Sequence, residues 1–299
     1  QGGWGAGRVV GSLGLNFNNF STRNFFKKNK WTPLPSGDGQ ILSLTASSNG
    51  IYYQNYNISF TEPWLGGKEP NSLSVSLYKS ISSNGLEDDE RQAIEITGLT
   101  LGLGKKLKFP DDYFSIYNAI SFQQYKLINS QSFFSFRNGF SNNINYTVRI
   151  ARNSLDQLIY PRRGSNLSLT LKLTPPYSIF DGVENYSEIS DQEKYGWIEY
   201  YKWKFKSSWF SAFTEKLVLN TRIEMGLLGA YNKGLGVAPF ERFYVGGDGM
   251  SGMGYQFDGR ELIALRGYSN NSISPQTGAT IYNKYTTELR YAISLNPSS

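Results

Sequence analysis

The sequence contains no cysteine and no histidine. The first absence excludes a disulfide framework and a thiolate metal centre, and it accords with an oxidising compartment that uses few cysteines. The second removes the commonest general base and the commonest metal ligand, so no Ser/His or Asp/His catalytic set can be built. Long apolar runs are missing too. No stretch approaches the roughly 18 apolar residues of a membrane-crossing helix, and mean hydropathy is −0.41. The net charge of +6 over 299 residues forms no basic block, so nucleic acid is not suggested as a partner. Gln1 follows no initiator and no signal peptide is present; the chain reads as a trimmed piece of something longer.

What the sequence does have is aromatic side chains: 21 Tyr, 19 Phe and 6 Trp. Rich in Tyr, Phe, Ser, Asn and Gly but poor in Ala and Met, it is no helical bundle. The physical options are a soluble all-β protein or a transmembrane barrel, whose apolar residues occupy only alternate strand positions.

Period-two patterning is strong. Leu167, Leu169, Leu171 and Leu173 alternate with Asn166, Ser168, Thr170 and Lys172. Trp197, Tyr201, Trp203 and Phe205 alternate with Tyr200, Lys202, Lys204 and Lys206, and Leu73, Val75 and Leu77 alternate with serines. Tyr285, Leu289 and Tyr291 alternate with Lys284, Glu288 and Arg290. A soluble sandwich alternates in the same way, so the period alone does not choose. Two features favour a membrane barrel. Several segments reach the roughly 9–11 residues that a tilted strand needs to cross the hydrocarbon layer, and aromatics such as Trp64, Tyr113 and Trp209 gather near segment ends, as interfacial girdles do.

The pattern predicts an all-β chain, a transmembrane antiparallel β-barrel. A strand end lies at 1–7, then strands near 9–17, 40–48, 52–61, 72–81, 91–103, 113–125, 142–152, 165–174, 197–207, 217–229 and 280–293. Parity places Lys202, Lys204, Lys206, Arg222, Glu224 and Arg290 on a polar inner wall. Three positions misfit: Lys79 and Glu199 near segment ends, and Asn118 between Ile116 and Ile120 on the apolar face. Connections alternate between short and long, as the two sides of a barrel require. The stretch 18–39 is long where a short turn is expected. It carries Phe25, Phe26, Lys27, Lys28, Lys30 and Trp31, a composition suited to a membrane surface or a partner.

The longest connection, 230–279, contains Phe240-Glu241-Arg242-Phe243-Tyr244-Val245-Gly246-Gly247 and then Leu265-Arg266-Gly267-Tyr268. Tyr160-Pro161-Arg162-Arg163-Gly164-Ser165 precedes a strand, and Gly2-Gly3-Trp4-Gly5-Ala6-Gly7 opens the chain. In this order the motifs resemble those of the BamA-type outer-membrane assembly proteins of the Omp85 superfamily, across the whole chain. One departure is clear: roughly eighteen residues, Asp248 to Leu265, separate Gly-Gly from Leu-Arg-Gly-Tyr, where the family has a few.

The resemblance implies a sixteen-stranded barrel in the outer membrane of a Gram-negative (diderm) bacterium. About twelve strands would lie in this chain, 1–299, with upstream POTRA domains and the last strands outside it. It implies an insertase with no catalytic residue, metal or cofactor. The implied partners are outer-membrane β-barrel substrates, accessory assembly lipoproteins and outer-membrane lipid. The 230–279 loop is expected to fold into the lumen through the motif Phe243, Tyr244, Gly246 and Gly247. Its Arg266, with Gly267 and Tyr268, is expected to lock onto an acidic wall residue, for which Glu288 is the match. A guanidinium fork suits a carboxylate; an ordinary solvent-facing arginine is the alternative. Gly2, Gly3, Trp4, Gly5 and Gly7 match the first strand of a lateral gate, where glycines either keep pairing exchangeable or ease a bend. A polypeptide translocation or secretion pore on the same fold, or a solute porin, remains open. The Gly246–Gly254 region lacks the Gly-Lys-Ser/Thr of a phosphate cradle, and Asp88, Asp89 and Glu90 lack the spacing of a calcium loop.

Overall fold

The computed structural model describes residues 2–5, 8–31, 33–130, 135–183, 185–247, 261–269 and 271–293. Twelve strands form one antiparallel sheet in which sequence neighbours pair. They are β1 Gly2–Gly5, β2 Arg8–Phe20, β3 Gln40–Ser48, β4 Tyr53–Glu62, β5 Asn71–Ser83 and β6 Ala93–Lys106. Then come β7 Phe114–Ile128, β8 Gly139–Asn153, β9 Gly164–Leu173, β10 Tyr201–Ala212 and β11 Leu217–Gly229. Two short strands inside the long connection, β12 Phe243–Val245 and β13 Glu261–Ile263, pair in parallel, and β14 Ile281–Tyr291 returns to the sheet beside β11. The twelve alternating segments of the sequence are thus the twelve sheet strands. The β12–β13 pair carries no periodic signal, being only three residues long on each side.

Register lines the side chains up in rows. Phe17, Leu42, Phe60, Val75, Leu101, Ile120 and Tyr146 are successive cross-strand partners from β2 to β8. One residue along, the row reads Asn16, Ser43, Ser59, Ser76, Thr100, Ser121 and Asn145. One face is therefore apolar and the other polar, because every register keeps the same parity.

The apolar band has an edge. On β6, Leu99, Leu101 and Leu103 lie between Thr97 and Lys105 on the same parity, a band of about 27 Å measured along the strand. Beyond it the outer row is Lys79, Thr97, Gln124 and Asn142. Lys79 thus belongs to a polar row past the band, which accounts for its parity. Asn118 accepts a hydrogen bond from the Tyr146 hydroxyl of the neighbouring strand at 2.8 Å. Glu199 precedes β10, which begins later than the period implies. Its carboxylate is buried and accepts from the Ser178 backbone N–H (2.8 Å) and hydroxyl (3.0 Å).

Past the same edge the polar face changes character. Ile94, Ile96, Tyr125, Leu127, Leu228 and Tyr282 project from it into one buried apolar cluster with Phe240, Phe243, Val245 and Ile263 of the long connection. The expectation of a polar inner wall therefore holds only for part of its height. Where the connection lies, burial of its rings stabilises more than hydration of a polar wall would.

Candidate functional site: a loop anchored on the polar wall

On β10 the alternation puts Lys202, Lys204 and Lys206 on one face, and register sets Lys172 of β9 directly opposite Lys202. Like charges directly opposed across a strand pair destabilise it. The long connection supplies the missing countercharges. Glu241 binds both lysines, with Oε1 3.0 Å from Lys172 Nζ and Oε2 2.9 Å from Lys202 Nζ. Glu261 spans the next pair, 2.7 Å from Lys202 and 3.1 Å from Lys204. Lys202, 1% exposed, also donates to the Glu241 carbonyl at 2.7 Å and has the Phe243 ring 4.7 Å away. An ammonium has three donors, and the two carboxylates and one carbonyl take all of them.

Burial alone would raise the Glu241 carboxyl, but Lys172 and Lys202 outweigh it and hold it well below the usual carboxylate range. Burial likewise opposes ionisation of Glu261, and Lys202 and Lys204 bring it down. Glu241 holds its place at φ 63°, a left-handed backbone that costs a non-glycine residue about 1–3 kcal/mol unless its surroundings fix it.

The loop motif sits beside this anchor. Phe243 and Tyr244 are fully buried. The Phe243 ring meets Tyr282 of β14 at 4.7 Å, over Gly226, where a Cβ would come within 2.6 Å of Phe243 Cζ. Gly246 and Gly247 both have positive φ, 131° and 77°. Their N–H groups donate to the Ile263 and Tyr268 carbonyls, each at 3.0 Å, and Leu265 N–H donates to the Gly247 carbonyl at 2.8 Å. The two halves of the motif are therefore joined despite the long insertion between them, whose residues 248–260 lie outside the described ones. Arg242 ties the root of the loop by donating to the Val237, Ala238 and Thr277 carbonyls.

The structure does not bring Arg266 to Glu288. Arg266 is exposed, as are Gly267 and Tyr268, and among the described residues its side chain makes no ion pair. Glu288 is bound by Arg290 at 2.9 Å, Arg222 at 3.5 Å and the Asn220 amide at 3.2 Å. The reason is distance along the strand. The loop meets β14 at Tyr282, and Glu288 lies six residues further on, about 20 Å away. Between these levels Glu224 bridges Lys284 at 2.8 Å and Lys206 at 3.6 Å. The wall thus carries a descending series of acid–base clusters centred on Glu241, Glu261, Glu224 and Glu288. All six predicted wall residues belong to this face; Glu241, Glu261 and Lys172 went unrecognised. The signal for them was the excess of lysine on one strand face, which demanded acids from elsewhere.

Of the glycine-rich opening, β1 pairs with β2 through Gly2–Gly11, Gly3–Val10, Trp4–Val9 and Gly5–Arg8. Three of these four pairs have no β1 side chain. Gly7 lies outside the described residues.

Residues 36–299 match the family model of the Omp85 superfamily domain. No curated protein matches the chain. Among solved structures it is similar to BamA from Haemophilus ducreyi lacking POTRA domains 1–3, at 19% identity and a TM-score of 0.66. That alignment covers 97% of this chain and 52% of the other, so the chain spans about half the length of the structure it matches. The likeness is one of fold.

Proposed function

The chain belongs to the Omp85 superfamily, and from that premise we propose that it is the membrane barrel of a machine that folds and inserts β-barrel proteins into the outer membrane of a Gram-negative bacterium. The apolar face meets lipid, the polar face encloses the interior, and the 230–279 loop is held there. No covalent step is assigned to it. Its proposed partners are outer-membrane β-barrel substrates, accessory assembly lipoproteins and outer-membrane lipid.

The observation that carries the gate is the β1–β2 ladder, in which glycine leaves three of four pairs without a side chain on one strand. Each cross-strand side-chain pair is worth roughly 0.2–1 kcal/mol. A β1 deprived of them is held by little beyond its main-chain bonds. Those are the groups an incoming strand needs as its template. The apolar cluster around Phe240 and Phe243 seats the long connection against the inner face of the sheet, and a solute porin would need neither that seat nor a weakly paired first strand.

The test uses the protein in vesicles with a urea-unfolded outer-membrane barrel as substrate. A photo-crosslinking residue replaces Trp4. Faster substrate folding together with a crosslink from position 4 to the substrate is the expected result. Faster folding with no such crosslink would remove β1 from the mechanism. Passage of the polypeptide into the vesicle without integration would make the protein a translocation pore.

A further inference from the structure

We infer that the 21–39 connection is a lipid-headgroup anchor, built to hold an anionic bilayer surface beside the first strands. The inference rests on the reading above that the apolar sheet face meets lipid.

The connection is a folded finger. Ser21, fully buried, donates its hydroxyl to Asp38 at 2.6 Å and accepts from Asn24 N–H at 3.0 Å. Asn24 donates to the Ser36 carbonyl, and Ser21 N–H donates to the Pro35 carbonyl. The root leans on the apolar side of the sheet. Gln40 shares the parity of Leu42, and Glu62 that of Phe60. The Gln40 side chain accepts from Thr22 N–H at 2.7 Å and donates to Glu62 at 2.8 Å. The sheet-facing ring of Phe20 is buried and meets Phe60 edge-on at 6.3 Å.

From that root the finger presents what a bilayer interface recognises. Phe25 packs against Phe26 at 5.4 Å and Trp31 at 5.6 Å, yet Phe26 is 92% exposed. The Trp31 indole donates to the Phe25 carbonyl at 3.0 Å, so its polar end is satisfied and its ring remains free to bury. Lys27, Lys28 and Lys30 are exposed, and none makes an ion pair among the described residues. The finger holds four cations, Arg23 and these lysines, against the single acid Asp38. The next two connections at this end of the sheet also expose aromatics, Trp64 and Phe109, so the finger continues an aromatic rim. Rings at the headgroup level with lysines beyond them are the chemistry of an anionic lipid surface. An acidic protein partner would meet the lysines but would have no need of the rim.

The experiment is brominated-lipid quenching of tryptophan fluorescence in the reconstituted protein, with Trp31→Phe subtracted to isolate Trp31. Two bilayers are compared, one brominated on phosphatidylglycerol and one on phosphatidylcholine. Trp31 should be quenched severalfold more by the anionic lipid. The triple variant K27Q/K28Q/K30Q should reduce that preference to parity while keeping its far-UV circular dichroism. Equal quenching by both lipids in the wild type would overturn the headgroup preference. No quenching of Trp31, with Trp203 and Trp209 of β10 still quenched, would place the finger away from the bilayer and overturn the anchor alone. If Trp203 and Trp209 were also silent, the lipid-facing reading of the sheet would fall first.

Discussion

Glu241 grips Lys202 twice, with its carboxylate at 2.9 Å and its own backbone carbonyl at 2.7 Å. A contact through both backbone and side chain fixes the conformation of the loop as well as its position. It also joins residues from the two ends of the polarity argument: a wall lysine that needs an anion, and a loop acid with a strained backbone.

Glu241→Gln should therefore be costly. Removing one partner from a buried ion pair leaves the other charge uncompensated, at roughly 3–5 kcal/mol. Lys202→Met should cost a similar amount. The double variant should recover part of the loss, since it removes both charges. Limited proteolysis of the 230–279 loop and denaturant titration of the four proteins of this cycle would measure the coupling. Fully additive losses would mean that the two residues act independently.

The anchor should also be resistant to acid. The carboxyl of Glu241 is depressed in the folded protein relative to its ordinary value of 4.5. A depressed acid contributes stability that is complete above the unfolded value and is lost as pH falls through the folded one. Protease protection of the loop should stay flat down to about pH 4.5 and fade only below it. The Glu241→Gln protein should keep only a weaker acid-side transition, the part that Glu261 contributes. A transition in the wild type near neutral pH would assign loop release to some other group.

Gly246→Ala should separate the two halves of the motif. A Cβ there would sit 2.4 Å from the Ser269 carbonyl oxygen, at a φ of 131° that L residues avoid. The expected cost is about 1–3 kcal/mol. Cleavage in the 261–269 segment should rise, while the sheet keeps its circular dichroism. Unchanged cleavage would show that the segment tolerates a shift.

Arg266→Ala should change unfolding free energy by no more than about 0.5 kcal/mol, as for other exposed side chains. We expect it nonetheless to slow substrate insertion, because its Leu265–Tyr268 segment is joined by backbone hydrogen bonds to the Gly246–Gly247 half of the loop motif. Normal stability with normal insertion would reduce it to loop surface.

The strands were legible because the alternation of Leu167 to Leu173 or of Lys202 to Lys206 has one physical cause, a sheet with two different faces. The rows from Phe17 to Tyr146 follow from it directly. The anchor was not legible for two reasons. The pairing of Glu241 with Lys172 joins residues 69 apart in sequence, and no local pattern encodes such a contact. The arginine motif also drew attention to Arg266, although Glu241 stands in the same loop two residues before Phe243. The apolar cluster was hidden because Ile94 and Ile96 reverse the phase of Leu99 to Leu103 within one strand. Only the height at which the reversal occurs gives it meaning.

That reversal bears on the order of assembly. Apart from β11 and β14, neighbouring strand pairs close from nearby sequence, but the cluster gathers side chains from β6 through β14, nearly two hundred residues apart. Contacts of such separation bear the loop-closure entropy last. The wall must be in place before the plug can seat, so substitutions at Ile94 or Phe240 should slow the final step of maturation and spare the earlier hairpins.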